Sequence, residues 1–199
     1  MAQAVSDECL NVIFREARTV SAWLPKPVED GLLREIYEVA KLGPTSANTS
    51  PMRVVFVKSL EAKERLKPAL APGNVEKTMA APVCAIIAND LRFHEFIPKL
   101  WPHMPEFANL FTQPGKEEFT LTHAFRNATL QGAYLIIAAR ALGLDAGPMS
   151  GFDNAKVDAE FFPDGRLKSN FLVNLGYGDP AKLRPRNPRL SFEEACKII

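Results

Sequence analysis

The longest regular pattern in the sequence is helical, and it constrains the fold more than any other feature. Between residues 117 and 142, only two charges follow the opening Glu117-Glu118 pair, and apolar or small side chains recur at helical spacing: Leu121, Phe125, Ala128, Gly132, Leu135, Ile136, Ala139 and Leu142. This spacing predicts one helix of about 25 residues, roughly 38 Å long. Because the helix is apolar on most faces, we expect it to be buried, either centrally or in a subunit interface.

Short apolar runs predict three buried strands, at residues 54–57, 83–88 and 172–175. Further helices are predicted at residues 6–18, 29–43, 60–70, 73–82 and 154–161, and a last short one is capped by Ser191. Residues 145–151 are predicted to be a tight connection, and residues 91–116, with four prolines, an irregular lid or pocket wall. Helices outnumber strands without regular alternation, which predicts an α+β fold in a single domain over residues 1–199.

Composition excludes several functional classes. Of the 199 residues, 24 are basic and 23 acidic, giving a net charge of +1, so no broad nucleic-acid or acidic-membrane footprint is expected. The three cysteines are scattered and form no metal or disulfide pattern. No signal peptide or membrane-spanning run is recognisable. A cytoplasmic protein is therefore expected.

Familiar catalytic motifs fail on inspection. Residues 176–181 fit the dinucleotide pattern G-x-G-x-x-A literally, but Pro180 and the short remaining chain leave no room for a βαβ unit. Ser150 does not sit in a G-x-S-x-G nucleophile elbow. His94, His103 and His123 lack metal-ligand spacing, so no metal site is predicted. If the protein is an enzyme, a cofactor is expected to carry the difficult chemistry.

Five local patterns occur in an informative order. They are Ala17-Arg-Thr19, Gly43-Pro-Thr-Ser-Ala-Asn48 with Pro51, Gly73-Asn74 with Lys77, Gly147-Pro-Met-Ser-Gly151-Phe-Asp153, and Arg184-Pro-Arg186 with Pro188. Over residues 10–190 this set resembles the FMN-dependent nitroreductase family. The strings Ala-Phe-Arg-Asn, Ala-Leu-Gly-Leu-Asp and Pro-Arg-Leu-Ser-Phe-Glu-Glu-Ala-Cys are similar to the malonic semialdehyde reductase (3-hydroxypropanoate dehydrogenase) branch, which serves pyrimidine catabolism.

The resemblance implies a nitroreductase-like fold: a central mixed or antiparallel sheet flanked by helices, a long buried helix and a C-terminal extension, assembled as a homodimer with FMN at the subunit interface. It also implies that Arg18, Thr19, Arg184 and Arg186 bind the FMN phosphate, and planar guanidinium groups suit that dianion. From the residues alone, a solvated basic run is the favoured interpretation of the tail arginines.

The remaining predicted cofactor residues fall into three groups. The resemblance implies that Thr45, Ser46 and Asn48 approach the flavin from the partner subunit. Asn74 and Lys77, one helical turn apart, are expected at the polar edge of the ring, where a cation favours the reduced form. The backbone at Pro148, Met149, Ser150 and Gly151 is expected near N5 and O4. No residue is predicted to be catalytic itself, although Lys77 and Ser150 could tune the flavin.

The function implied is hydride transfer from NADH or NADPH, through flavin N5, to a small carbonyl substrate, malonic semialdehyde. Its carboxylate calls for a cation in the pocket, and Arg53, Arg92 and Lys99 are the candidates. A broad nitroaromatic or quinone reductase with the same cofactor, and a non-catalytic flavin-binding protein, remain alternatives.

Overall fold

A computed structural model describes residues 3–199. Within that range the α-helices are α1 (Asp7–Leu10), α2 (Asp30–Ala40), α3 (Leu60–Leu66), α4 (Pro72–Ala80), α5 (Ile97–Leu100), α6 (Glu117–Ala141), α7 (Asn154–Phe161) and α8 (Phe192–Ala195). A π-helical turn at Asn11–Arg15 continues α1, and short 3₁₀ turns lie at Ser46–Asn48, Lys67–Ala69, Phe93–Phe96, Pro105–Thr112 and Pro180–Lys182.

One four-stranded sheet contains β1 (Met52–Val57), β2 (Val83–Asp90), β3 (Asp145–Met149) and β4 (Leu167–Gly176) in the order β1-β2-β4-β3. Every neighbouring pair is antiparallel. The α+β class with an antiparallel sheet flanked by helices is thus confirmed. β1 and β3 form the two edges of the sheet. Predicted site residues beside β1 therefore lie far from those beside β3 in the same chain.

The central strand β2 is buried along its whole length. Because side chains of a strand alternate between faces, Val83, Ala85 and Ile87 pack with α2 and α6, while Cys84, Ile86 and Ala88 pack with α3 and α7. The sheet is therefore the middle of three layers. Burial of the Cys84 thiol raises its pKa to about 12, as expected for a small core residue.

The predicted tight connection at residues 145–151 is wrong for its first part. Asp145–Met149 pairs with β4 from Asp145↔Gly176 to Met149↔Leu172. Gly147 and Pro148 locally favour a turn, but β3 is an edge strand, where a proline is tolerated, and pairing with β4 overrides the local preference. The first helix is also shorter than predicted, because regular α geometry ends at Leu10.

The long helix is confirmed at Glu117–Ala141. Its inner face is buried against β2 and α2, with Leu135 and Ala139 fully enclosed. Between residues 119 and 130, however, it leaves large apolar groups exposed: Phe119, Leu121, Phe125 and Leu130. A single chain therefore covers only part of this helix. In the part of the chain that the structure describes, no helix combines the length and hydropathy needed to cross a membrane.

Candidate cofactor site

The two ends of the chain meet beside the first helix. Arg186 Nη2 donates to the carbonyl oxygens of Phe14, Arg15 and Ala17 at 2.8, 2.9 and 2.7 Å. Arg18 Nη1 donates to Arg15 and Ala17 oxygens as well, at 3.2 and 3.1 Å. Because they share acceptors, the two guanidinium groups are immediate neighbours. Each engages the carbonyls through one nitrogen, and a guanidinium has five N–H donors in all.

Arg184 behaves differently from Arg186. It lies on the same extended, exposed tail, but it forms no hydrogen bond or ion pair with any residue in the range 3–199. The structure therefore brings together Arg18 and Arg186, which we call the arginine cluster, and leaves Arg184 outside it. The crossing of the tail back to the first helix occurs within one chain.

A third arginine near this cluster was not predicted as a site residue. Arg140, in the last turn of α6, donates from Nη1 to the Ile13 carbonyl at 3.1 Å. Its buried Nε has no hydrogen-bond partner among the described residues. Burial first, and then the nearby charge of Arg186, lower its pKa, whereas Asp145 opposes them. The sequence offered no signal beyond its being one of few charges on an apolar helix.

Thr19 and Val20 run alongside β3. Thr19 forms a parallel bridge with Ala146, and the Val20 N–H donates to the Ala146 oxygen at 3.2 Å. At Gly147, a Cβ atom would collide with the Val20 carbonyl oxygen. Glycine is therefore required here for the close approach of two backbones. This contact connects the arginine cluster to the strand that leads into residues 148–151.

Asn74 and Gly151 are in direct contact. The Gly151 oxygen accepts from Asn74 Nδ2 at 2.6 Å and from the Ala71 N–H at 3.0 Å. A Cβ at Gly151 would lie 2.6 Å from Asn74 Nδ2. The start of α4 and the end of β3 therefore form one continuous surface, with Ser150 exposed beside it.

Lys77 is positioned by two residues that the sequence did not single out. Its carbonyl, in the last turn of α4, accepts from Trp23 Nε1 at 3.0 Å and from Asn174 Nδ2 at 3.4 Å. Helix-terminal carbonyls need such partners because they lack intrahelical donors. Asn174 also donates to Thr78 Oγ1, and its fully buried Oδ1 is without a partner in residues 3–199. Trp23 thus connects the Arg18–Thr19 segment to Lys77.

The loop with Thr45, Ser46 and Asn48 lies apart from these groups. It leads into β1, at the opposite sheet edge from β3, and three strand spacings correspond to roughly 14 Å. The Ser46 N–H donates to Asn127 Oδ1 at 2.8 Å, and Asn48 Nδ2 donates to the Leu100 oxygen at 2.8 Å. Within one chain, the structure does not bring this loop to Lys77 or Gly151.

The three candidate cations for a substrate carboxylate have different surroundings. Arg53 Nη2 pairs with fully buried Asp90 at 2.7 Å, and Arg92 pairs with Glu95 at 3.6 Å. Lys99 forms no ion pair with the described part of the chain. Lys99 also lines a cavity of about 1070 Å³, which lies between α2, β1 and residues 96–100.

Asp90 is held ionised by its neighbours. Burial alone would raise the pKa of this carboxyl group, but hydrogen bonds from the Arg166 side chain and the Arg92 N–H, with the Arg53 charge, lower it overall. The Arg166 Nε–Asp90 Oδ1 distance is 2.9 Å. Arg53 is therefore part of a structural ion network. No group of three or more potential metal-ligating side chains occurs within residues 3–199.

Comparison with known proteins agrees with the fold. The sequence profile described as Nitroreductase family matches residues 14–177. A protein of Stenotrophomonas maltophilia provisionally named NADH dehydrogenase/NAD(P)H nitroreductase is 60% identical over 198 residues, covering 100% of both chains. One of the same provisional name from Cupriavidus pinatubonensis is 57% identical over 193 residues, covering 97% of this chain and 98% of that protein.

Solved structures with low sequence identity share the architecture. A Bacillus subtilis nitroreductase-like structure superposes with a TM-score of 0.87 at 24% identity, covering 96% of this chain and 99% of that one. A structure from Exiguobacterium sibiricum, described as a complex with FMN, gives a TM-score of 0.86 at 18% identity with 100% coverage of both chains.

Proposed function

Because the chain belongs to the nitroreductase family, we propose that it is an FMN-dependent NAD(P)H oxidoreductase that reduces malonic semialdehyde to 3-hydroxypropanoate. The observation that carries the cofactor assignment is the meeting of Arg18 and Arg186 at the same backbone carbonyls. Two adjacent guanidinium groups from opposite ends of the chain are suited to a phosphate dianion. When bound, FMN supplies an atom, N5, that can accept and donate hydride.

The residues near β3 fit the ring of such a cofactor. Arg18, Thr19 and Arg186 would hold the phosphate, with Arg184 available on the tail. Asn74 and Lys77 would face the pyrimidine edge, where the Lys77 ammonium stabilises negative charge. The backbone of residues 148–151 would run close to the ring, beside Asn74, whose contact with Gly151 leaves no room for a side chain there. Ser150 is exposed at this surface and can donate or accept a hydrogen bond.

We further propose that the active form is a homodimer. The loop with Thr45, Ser46 and Asn48 is too far across the sheet to serve its own chain's site, so it would serve the partner's. The exposed apolar groups Phe119, Leu121 and Phe125 on α6 supply a surface whose burial would stabilise the dimer. A monomer should consequently bind FMN poorly.

Lys99 is our candidate for binding the substrate carboxylate. Arg53 is committed to Asp90, and Arg92 has Glu95 as a partner. Lys99 adjoins Leu100, whose carbonyl holds the side chain of Asn48. The Lys99 ammonium would therefore enter the same site as the loop. Lys99→Gln should raise KM for the semialdehyde several-fold and leave NADH-dependent flavin reduction unchanged.

Reduction of nitroarenes or quinones is a second candidate function, because relatives that are 57% and 60% identical carry nitroreductase names. Anaerobic stopped-flow reduction of the FMN-loaded protein by NADH and NADPH, followed by mixing with malonic semialdehyde or a nitroarene, tests both. Rapid reoxidation by the semialdehyde supports the first. Reoxidation by nitroarenes alone supports the second. Flavin that neither nicotinamide reduces would indicate a binding protein, and failure to bind FMN would refute the cofactor assignment.

A further inference from the structure

Three polar side chains on one face of α6 hold the loop at residues 45–52. We call His123, Asn127 and Gln131 the polar ladder; they are spaced four residues apart and so share a face of the helix. Asn127 and Gln131 are each only 4% exposed. Buried polar groups are costly unless they are hydrogen-bonded. Their partners therefore indicate what this face of α6 is built to hold.

Asn127 is fixed by two backbone groups. Its Oδ1 accepts from the Ser46 N–H at 2.8 Å, and its Nδ2 donates to the His123 carbonyl at 2.9 Å. Reversing the amide would oppose donor to donor and acceptor to acceptor, so its orientation is unambiguous. One turn further along, Gln131 Oε1 accepts from the Met52 N–H at 2.9 Å. Both ends of the loop are thus tied to one rigid helix.

His123 supports the same loop through buried Thr49. Thr49 Oγ1 lies 2.9 Å from the Ser46 carbonyl oxygen and 2.9 Å from His123 Nε2. The carbonyl can only accept, so it takes the single hydroxyl proton, and His123 must donate from Nε2. The imidazole ring stacks on Phe93 with centroids 5.1 Å apart, which fixes its position.

The conformation that these bonds hold is a strained one. Ala47, Asn48 and Ser50 have φ angles of 51°, 51° and 42°, in the left-handed region that non-glycine residues disfavour. Such a backbone persists only when its surroundings determine it, and strain of this kind concentrates at functional sites. The polar ladder supplies the required constraint, and the loop presents exposed Ser46 and Asn48 side chains.

We propose that Asn127, assisted by His123 and Gln131, is the positioning residue that shapes the loop for the flavin bound to the partner subunit. This inference rests on the proposed function, since it requires an FMN site shared between two chains. It also assigns a role to the Ala-Phe-Arg-Asn string ending at Asn127, for which phosphate or ring binding gives no explanation. Asn127 acts through Ser46 rather than by touching the cofactor.

Two variants remove the constraint from different sides. Asn127→Leu deletes the acceptor for the Ser46 N–H, and Thr49→Val deletes the hydroxyl that His123 and the Ser46 carbonyl share. Each should weaken FMN binding about tenfold, because a part-buried backbone donor or acceptor loses its partner. Thr129→Val is the control: its hydroxyl bonds to the Phe125 carbonyl and Asn170, not to the loop. Its FMN affinity should stay within about twofold of wild type.

A mixed dimer tests whether the effect crosses the interface. The two chains of the mixed dimer carry different tags. One chain carries Arg18→Ala together with Arg186→Ala, and the other chain carries Asn127→Leu. The mixed dimer is isolated by sequential affinity steps. One site then combines both defects, while the other combines an intact arginine cluster with an intact loop. We expect one FMN per mixed dimer at wild-type affinity, although both parent homodimers bind weakly. If circular dichroism shows that Asn127→Leu does not fold, Thr49→Val replaces it in the mixed dimer.

Each outcome distinguishes the inference from the function on which it rests. A wild-type homodimer that binds no FMN refutes the proposed function itself. A wild-type homodimer that binds FMN, with both loop variants binding equally well, overturns only the positioning role. If both parent homodimers bind FMN weakly and the mixed dimer has no site of wild-type affinity, the loop acts within its own chain. That result also overturns the inference.

Discussion

Replacing Arg186 with alanine is the sharpest perturbation of the two-ended arginine cluster. Arg186 is exposed on the tail, and its Nη2 reaches three carbonyls of residues 14–17. A charge-assisted hydrogen bond contributes about 1.5–3 kcal/mol, and exposure reduces this towards the lower limit. Since 1.4 kcal/mol is tenfold in affinity, Arg186→Ala should weaken FMN binding about 10- to 30-fold.

The assay is a titration of the apoprotein with FMN at several salt concentrations, in which quenching of the flavin fluorescence reports binding. Loss of one phosphate contact should flatten the dependence of affinity on salt as well as weaken binding. The melting temperature of the apoprotein should fall by no more than about 4 °C, because an exposed tail contact contributes about 1 kcal/mol or less.

Arg184→Ala is the matched control, because Arg184 lies two residues away on the same tail but outside the cluster. Its effect on FMN affinity should be smaller than that of Arg186→Ala. Unchanged affinity in Arg186→Ala, or a larger loss in Arg184→Ala, would refute the reasoning from the shared carbonyls. A collapse of the apoprotein fold in Arg186→Ala would assign the residue a structural role instead.

Two further substitutions test the surroundings of the site. Gly151→Ala should displace Asn74, since the new Cβ would lie 2.6 Å from its Nδ2. FMN binding should weaken about fivefold, and the free energy of unfolding should fall by about 1 kcal/mol. Gly31→Ala, where the space is open, is the control and should be neutral or slightly stabilising. Thermal unfolding that ranks the two glycines the other way would contradict this. Asp90→Asn should cost about 2–4 kcal/mol in urea unfolding at pH 7, because Arg53 and Arg166 lose the buried anion that they share. The pKa of Asp90 is lower in the folded state, so ionised Asp90 stabilises the fold at pH values above its unfolded pKa of about 3.9, and this stabilisation is lost as pH falls through the lower folded pKa. An acid unfolding transition of the wild type that is no steeper than that of Asp90→Asn would contradict this prediction.

The sequence by itself determined the elements that depend on local periodicity. The long helix follows from the helical spacing of its apolar side chains, and the central strand follows from a short apolar run that begins after Pro82. The motif strings also sufficed to indicate the family, because several short patterns in a fixed order rarely coincide.

Only the tertiary structure decided what meets what. β3 exists because β4 offers a partner for residues whose own preference is a turn. Arg186 and not Arg184 reaches Ala17, a contact across 169 residues that no local pattern encodes. The link between Asn127 and Ser46 spans 81 residues and depends on how α6 packs beside β1. Local propensity acts only between residues that are near in sequence, whereas a site assembled from distant segments is fixed by packing of the whole chain.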